Sequence, residues 1–392
     1  MARIQTFNKI AAEGIALLEA RGHQVGPDVH DPDGILVRSA KLHDITFGPS
    51  LRGIARAGAG VNNVPVSRCT EEGVVVFNTP GSNANSVKEL VVAGLMLSSR
   101  KIIEGCQWVQ SLDPAAVDVG KEVEAGKSAF GGPEIAGKRL GVIGLGAIGV
   151  MVANAGISLG MEVSGYDPYL SVNSAWGLSR SVLRATSLEA LLAECDYVSI
   201  HVPLNDETRG LINTARLEKT KPGARFLNFS RDALVDDQAM VEALTKGHIA
   251  AYVTDFPTAT LLGTPGVIAI PHLGASTPEA ETNSAIMAAQ ELADFLEQGN
   301  IRNSVNFPEC IMDGNGGDRI ILANKNVPNM VSRITTILAE AGLNISDMLN
   351  RHRDDLAYNI IDVDETISAA TVEKLQAIDG VVMARVVPGG AC

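Results

Sequence analysis

The chain has few aromatic residues, 4% of 392, and only five cysteines. Cys69, Cys106, Cys195, Cys310 and Cys392 contain no CxxC pair and are odd in number. A CxxC redox or zinc motif is thereby excluded, and so is a fully paired disulfide framework. The cysteines read as reduced thiols of a cytoplasmic protein, and no metal site is expected. Positive charge is also scarce. The 45 acidic residues outnumber 32 Lys and Arg, for a net charge of −13. Nonspecific binding to nucleic acid or an anionic membrane is disfavoured. An anionic ligand therefore needs a local cluster of arginines. Long apolar runs are missing: "LVVAGLML" (90–97) is too short to span a bilayer. The start, "MARIQTFNKIAAEG", has no apolar stretch of signal-peptide length.

What remains is aliphatic. Hydrophobic residues are 46% of the chain, and the length suits two or three domains of an α/β protein. Short buried-strand patterns such as "GILVRSA", "GIARAGAGV" and "GVVVFNTPG" alternate with helical ones. "SNANSVKELVVAGLMLSSRK" predicts a helix capped near Asn85 or Ser86, and "TSLEALLAE" a capping box from Thr186 to Glu189. Residues 105–137, polar and Gly-rich, read as a crossover. Strands spaced by helices imply right-handed βαβ units and parallel sheets. "TPEAETNSAIMAAQELADFLEQGN" reads as one long helix, and "VNFPECIMDGNGGD" as a linker. Beyond it the order βαββαβ, with a hairpin at Asp354-Asp355, is ferredoxin-like. The expected fold is two Rossmann-like doubly wound parallel-sheet domains plus a small ferredoxin-like domain. The boundaries are 1–98 with 285–306, then 99–284, then 318–392.

"GLGAIG" sets Gly144, Gly146 and Gly149 in G-x-G-x-x-G spacing, with a strand before and a helix after. Gly144 makes the turn, Gly146 admits a pyrophosphate against the backbone, and Gly149 lets helix and strand pack. The amides of Ala147 and Ile148 open the helix toward the phosphates. Asp167 ends the next strand, where its carboxylate accepts ribose hydroxyls and repels a 2′-phosphate. The expected cofactor is NAD. "NFSRDALVD", "VTD" and "PHLGAST" then place Arg231, Asp255 and His272 just past three strands. In a parallel sheet these ends share one edge.

Here the chain resembles the D-isomer-specific 2-hydroxyacid dehydrogenases, in the branch acting on phosphoglycerate. "RAGAGVNNV", "NTPGSNANSVKEL", "GLGAIG", "HVPLNDETRGLIN", "NFSRDALVD" and "PHLGAST" carry the resemblance, over roughly 35–280. It implies His272 as the base that takes the hydroxyl proton and Arg231 as the clamp on the substrate carboxylate. It implies a phosphorylated 2-hydroxy acid held by Arg38, Ser39 and Arg56, with Ser82 and Asn83 at the carboxylate end. Pro203, Ser230, Asp255 and Gly274 fall on the cofactor side. His201 reads as buried structure near the cofactor. The C-terminal segment resembles an ACT domain. Asn326 and Asn344 fall where such domains grip an amino-acid effector, L-serine, across the interface of a homodimer or homotetramer.

Four departures stand out: Asp232 replaces a glycine, Asn324 a histidine, Asn329 a turn glycine, and Ala259 a glutamate that orients the histidine. Three readings of the last are open. Asp255 or Glu279 substitutes; the base works alone with a higher pH optimum; or the protein binds NAD without turnover.

Overall fold

The computed structural model describes residues 1–389, so Cys392 lies outside the described residues. Two compact units divide the chain: Met1–Ser82 with the segment from Glu281 onward, and Asn83–Ala280.

In the first unit, aliphatic runs such as Gly34–Val37 and Val75–Phe77 are buried along their whole length. That is the signature of strands covered on both faces. They belong to a five-stranded parallel sheet in the order Gln24–Gly26, Arg3–Phe7, Gly34–Val37, Gly53–Arg56, Val75–Phe77. The helix Pro278–Gln298 lays Ala285, Ala288, Leu292 and Phe295 into the core of this sheet. Its small residues permit close packing: a Cβ on Gly14 would meet the Ala285 carbonyl at 2.7 Å.

The same unit carries a second, antiparallel sheet in the order Ile345–Arg353, Leu356–Val363, Asp318–Lys325, Val381–Val387. Helices Met330–Glu340 and Ala369–Gln376 complete the βαββαβ order. Their Ile334, Leu338 and Leu375 share a core with Ile320 and Leu322. The hairpin turns at Asp354, whose φ of +49° is one that aspartate tolerates. Arg319 and Asp362, both buried, pair at 2.6 Å; the guanidinium also donates to the carbonyls of Gln298 and Met312.

The second unit is a seven-stranded parallel sheet. Its order is Val267–Ala269, Ile249–Thr254, Ala224–Asn228, Tyr197–Ile200, Arg139–Ile143, Glu162–Tyr166, Leu183–Arg184. Chain order reverses between Arg139–Ile143 and Tyr197–Ile200. This is the switch point of a doubly wound fold, where loops diverge and leave a crevice.

Local details depart from the sequence reading. The helix Ala84–Ser99 packs in the second unit, through Val87, Val91 and Leu95 against Leu140 and Val142. Asn83 sits at its N-cap without a side-chain cap bond, and Asn85 bonds Glu89 instead of capping. The helix Leu188–Glu194 is capped by Ser187, not Thr186: its hydroxyl accepts from the Ala190 amide, while Glu189 reaches Arg216. The segment 105–137, read only as a crossover, is largely helical at its start and middle. It contains most of the helix Ile102–Gln110 and a second helix, Val119–Gly126, capped by Asp118. Neither helix buries a residue, so composition alone conceals them. Cys69, Cys106, Cys195 and Cys310 are free thiols. Burial pushes the thiols of Cys69, Cys195 and Cys310 up to about 12.

Candidate active site

The strand Arg139–Ile143 ends in a turn that only glycine completes. Gly144 has φ +87°, and a Cβ there would lie 2.5 Å from the His201 carbonyl. A Cβ on Gly149 would lie 1.9 Å from the Gly144 carbonyl, so the helix Ala147–Ser158 starts against the turn only because that atom is missing. Gly146 differs. Nothing stands within 4 Å of its Cβ position, and it is exposed, as is Ala147. The free helix start therefore presents its amides to open space, where a phosphate fits. Asp167 closes the turn: one oxygen accepts from the Leu145 amide at 2.8 Å and the other from the Tyr169 amide at 2.8 Å. Each retains lone pairs for a ribose. Beside it lies a cavity of about 440 Å³, walled by Leu145, Leu170, Leu178 and Val182 together with Arg184 and Thr186.

Three parallel strands deliver the chemistry. Asn228, Thr254 and Ala269 are in register, so Arg231, Asp255 and His272 emerge at one edge. Ser230 is anchored by its hydroxyl to the Ile200 carbonyl at 2.6 Å. Asn228 holds the Arg231 carbonyl at 2.9 Å, fixing the turn from which the exposed guanidinium projects. Asp232, at the glycine position of the resemblance, bonds the Ala233 amide at 2.7 Å. His272 is exposed, with the Phe256 ring packed edge-on at 4.7 Å between centroids. Asp255 is only 1% exposed. Its oxygens have no hydrogen-bond partner; the nearest donors, the amides of Gly274 and of Asp255 itself, fall short of full geometry. Burial raises its pKa above the ordinary aspartate value, while His272 and then Arg231 pull the other way.

His201 bonds Ser199 through Nε2 at 2.8 Å, and its buried Nδ1 has no partner. Burial pushes its pKa down to about 3, so the ring stays neutral. Pro203 is exposed two residues on. Ala259, where the resemblance puts a glutamate, is exposed.

Within the first unit, Ser39 and Arg56 line a cavity of about 510 Å³ together with Lys41, His43, Asn62 and Asn63. The Arg56 side chain lies so close to Gly58 that a Cβ there would come within 2.1 Å of a guanidinium nitrogen. Arg38 is not among the lining residues. Its guanidinium pairs with Glu281 at 2.7 Å. His43, Asn62 and Asn63 were missed by the sequence reading, although the last two lie inside the "RAGAGVNNV" motif. Ser82 bonds the Thr79 carbonyl and Ser284. Asn326 and Asn344 stand at opposite ends of the strand Leu356–Val363: Asn326 donates to the carbonyls of Asp355 and Asp354, whereas Asn344 donates to the carboxylates of Asp364 and Glu365. The two do not meet within one chain. Among the described residues, no cluster of potential metal ligands occurs, and no helix is long and apolar enough to cross a membrane.

A dinucleotide turn beside an Arg–Asp–His edge on a doubly wound sheet defines a class of nicotinamide-dependent dehydrogenases. Residues 92–274 match the family model "D-isomer specific 2-hydroxyacid dehydrogenase, NAD binding domain". The chain belongs to the D-isomer-specific 2-hydroxyacid dehydrogenase family. Its relatives include D-3-phosphoglycerate dehydrogenases. That of Haemophilus influenzae is 33% identical over 87% of this chain and 82% of its own length. That of Mycobacterium bovis is 38% identical over 76% of this chain, which spans only 58% of its length. Among solved structures, an NAD+-bound 3-phosphoglycerate dehydrogenase of Entamoeba histolytica aligns with TM-score 0.59 at 25% identity, covering 78% of this chain and 98% of that one.

Proposed function

We propose that the protein oxidises D-3-phosphoglycerate to 3-phosphohydroxypyruvate with NAD, the entry reaction to L-serine synthesis. The observation that carries this is the emergence of Arg231, Asp255 and His272 at one sheet edge. Gly144, Gly146, Ala147, Ile148, Gly149 and Asp167 hold the dinucleotide, with Pro203, Ser230, Asp255 and Gly274 on its nicotinamide side. When bound, NAD accepts the hydride from C2. The chain's own residues do the rest. His272 takes the hydroxyl proton, a step worth about 10²–10⁴-fold. Arg231 grips the carboxylate in a bidentate pair and polarises the C2 oxygen. In the first unit, Arg56, Lys41 and Ser39 offer a phosphate the local positive charge that a chain of net charge −13 otherwise lacks. Arg38 joins them only after leaving Glu281.

The βαββαβ segment 318–389 we read as an ACT domain that binds L-serine in a homo-oligomer. Asn326 and Asn344 of different copies would complete each effector site, because one copy cannot bring its own pair together.

Turnover of 3-phosphoglycerate compared with unphosphorylated 2-hydroxy acids tests the assignment. The phosphorylated acid is expected to win in kcat/KM. Preference for glyoxylate or hydroxypyruvate in the reverse direction would move the protein to another branch. Ala259 favours a second reading, an NAD-binding protein without turnover. NADH binding with no reaction on any 2-oxo acid between pH 6 and 10 would establish it.

A further inference from the structure

An imidazole that takes a proton from a substrate works best with an anion behind it, which fixes the tautomer and stabilises the charged ring. No Asp or Glu lies between Asp255 and His272 in the sequence, and position 259 is an exposed alanine. Glu279 is exposed at the start of the following helix.

Asp255 is different. It is buried, and neither oxygen has a hydrogen-bond partner. A carboxylate left so is costly and calls for a nearby cation or donor. Geometry limits what that can be. Asp255 directly follows Thr254, which pairs with Ala269 and takes the Ile270 amide at 3.0 Å. The two chains thus run side by side into the site. A Cβ on Gly274 would sit 3.4 Å from an Asp255 oxygen, so the loop that follows His272 passes close to the carboxylate at Gly274. The neighbouring Phe256 packs edge-on against the His272 ring and limits its swing. The titratable groups facing Asp255 are His272, Arg231 and the buried phenol of Tyr252. Of these, Arg231 is assigned above to the substrate carboxylate, and the Tyr252 phenol is neutral, which leaves His272.

We propose that Asp255 is the positioning residue of His272: its buried carboxylate orients the imidazole and supports its protonated form, from the strand end rather than from position 259. This rests on the function proposed above. Burial raises the Asp255 pKa, and His272 is the strongest of the neighbours that lower it.

The test compares wild type, Asp255→Asn, and Asp255→Asn combined with Ala259→Glu, with NADH affinity and thermal melts as controls. In Asp255→Asn, kcat/KM at neutral pH should fall at least about tenfold, and the acid limb of its pH profile should move down by about one unit, because losing an anion lowers the imidazole pKa; this is the reverse of the higher optimum expected from the sequence for an unpartnered base. Adding Ala259→Glu should move the limb back up. The ¹⁵N tautomer signature of His272 in the NADH complex should shift in Asp255→Asn and return in the double variant. An unchanged pH profile and tautomer overturn the proposal, even if NADH affinity falls, because Asp255 would then serve the cofactor alone. If wild type turns over no hydroxy acid, the assigned reaction fails, yet the tautomer comparison still decides the pairing.

Discussion

At the scale of residues, the glycines were legible because their task is steric. A Cβ 1.9 Å from the Gly144 carbonyl forbids any side chain at position 149. Gly149→Ala should therefore weaken NADH binding at least about tenfold, read by fluorescence titration, with a smaller loss of thermal stability. Arg56→Ala should raise KM for the phosphorylated acid about ten- to a hundredfold, the loss of a charge-assisted bond worth about 1.5–3 kcal/mol. It should leave an unphosphorylated acid nearly unaffected. Equal losses for both would place the phosphate elsewhere. That Arg231 and His272 emerge at one edge was also legible, because the strands of a parallel sheet end there together. The pairing of Arg38 with Glu281 was not. It joins residues 243 apart in the chain, and no local pattern records which rotamer an arginine chooses. The partner of His272 was legible only as an absence.

At the scale of elements, periodicity succeeds where an element buries a face and fails where it does not. The helix Pro278–Gln298 buries alanines and leucines and was readable end to end. Ile102–Gln110 and Val119–Gly126 bury nothing, so no apolar stripe announced them. The long helix also hides a titrating group. Glu291 is 5% exposed, takes one bond from Asn303 at 2.6 Å, and leaves its second oxygen without a partner. Burial raises its pKa from 4.5 to about 8. An acid with a raised pKa favours folding in its protonated form. Stability is therefore lost as pH climbs from about 4.5, the unfolded value, to about 8. Glu291→Gln keeps the Asn303 bond and cannot ionise. Its melting temperature should match wild type near pH 4 and exceed it at pH 8. The same difference at both pH values would show that the carboxyl is not desolvated.

At the scale of the whole molecule, the alternation of strands and helices gave both parallel sheets, and the switch from βα repeats to βαββαβ marked the C-terminal segment. How that segment is fastened within the first unit could not be read. Arg319 bridges Asp362 to the carbonyls of Gln298 and Met312, and Arg385 donates to the carbonyls of Phe295 and Leu296. Arg319→Met would strand a buried Asp362 and should cost about 3–5 kcal/mol in urea unfolding. Adding Asp362→Leu should recover much of the loss. The proposed chemistry requires the histidine at the sheet edge to move the proton. The direct measurement is steady-state oxidation of 3-phosphoglycerate by His272→Ala beside its NADH dissociation constant. In the variant, kcat should be lower by at least about a hundredfold, with NADH affinity within about twofold of wild type. Undiminished turnover by the variant would contradict that chemistry.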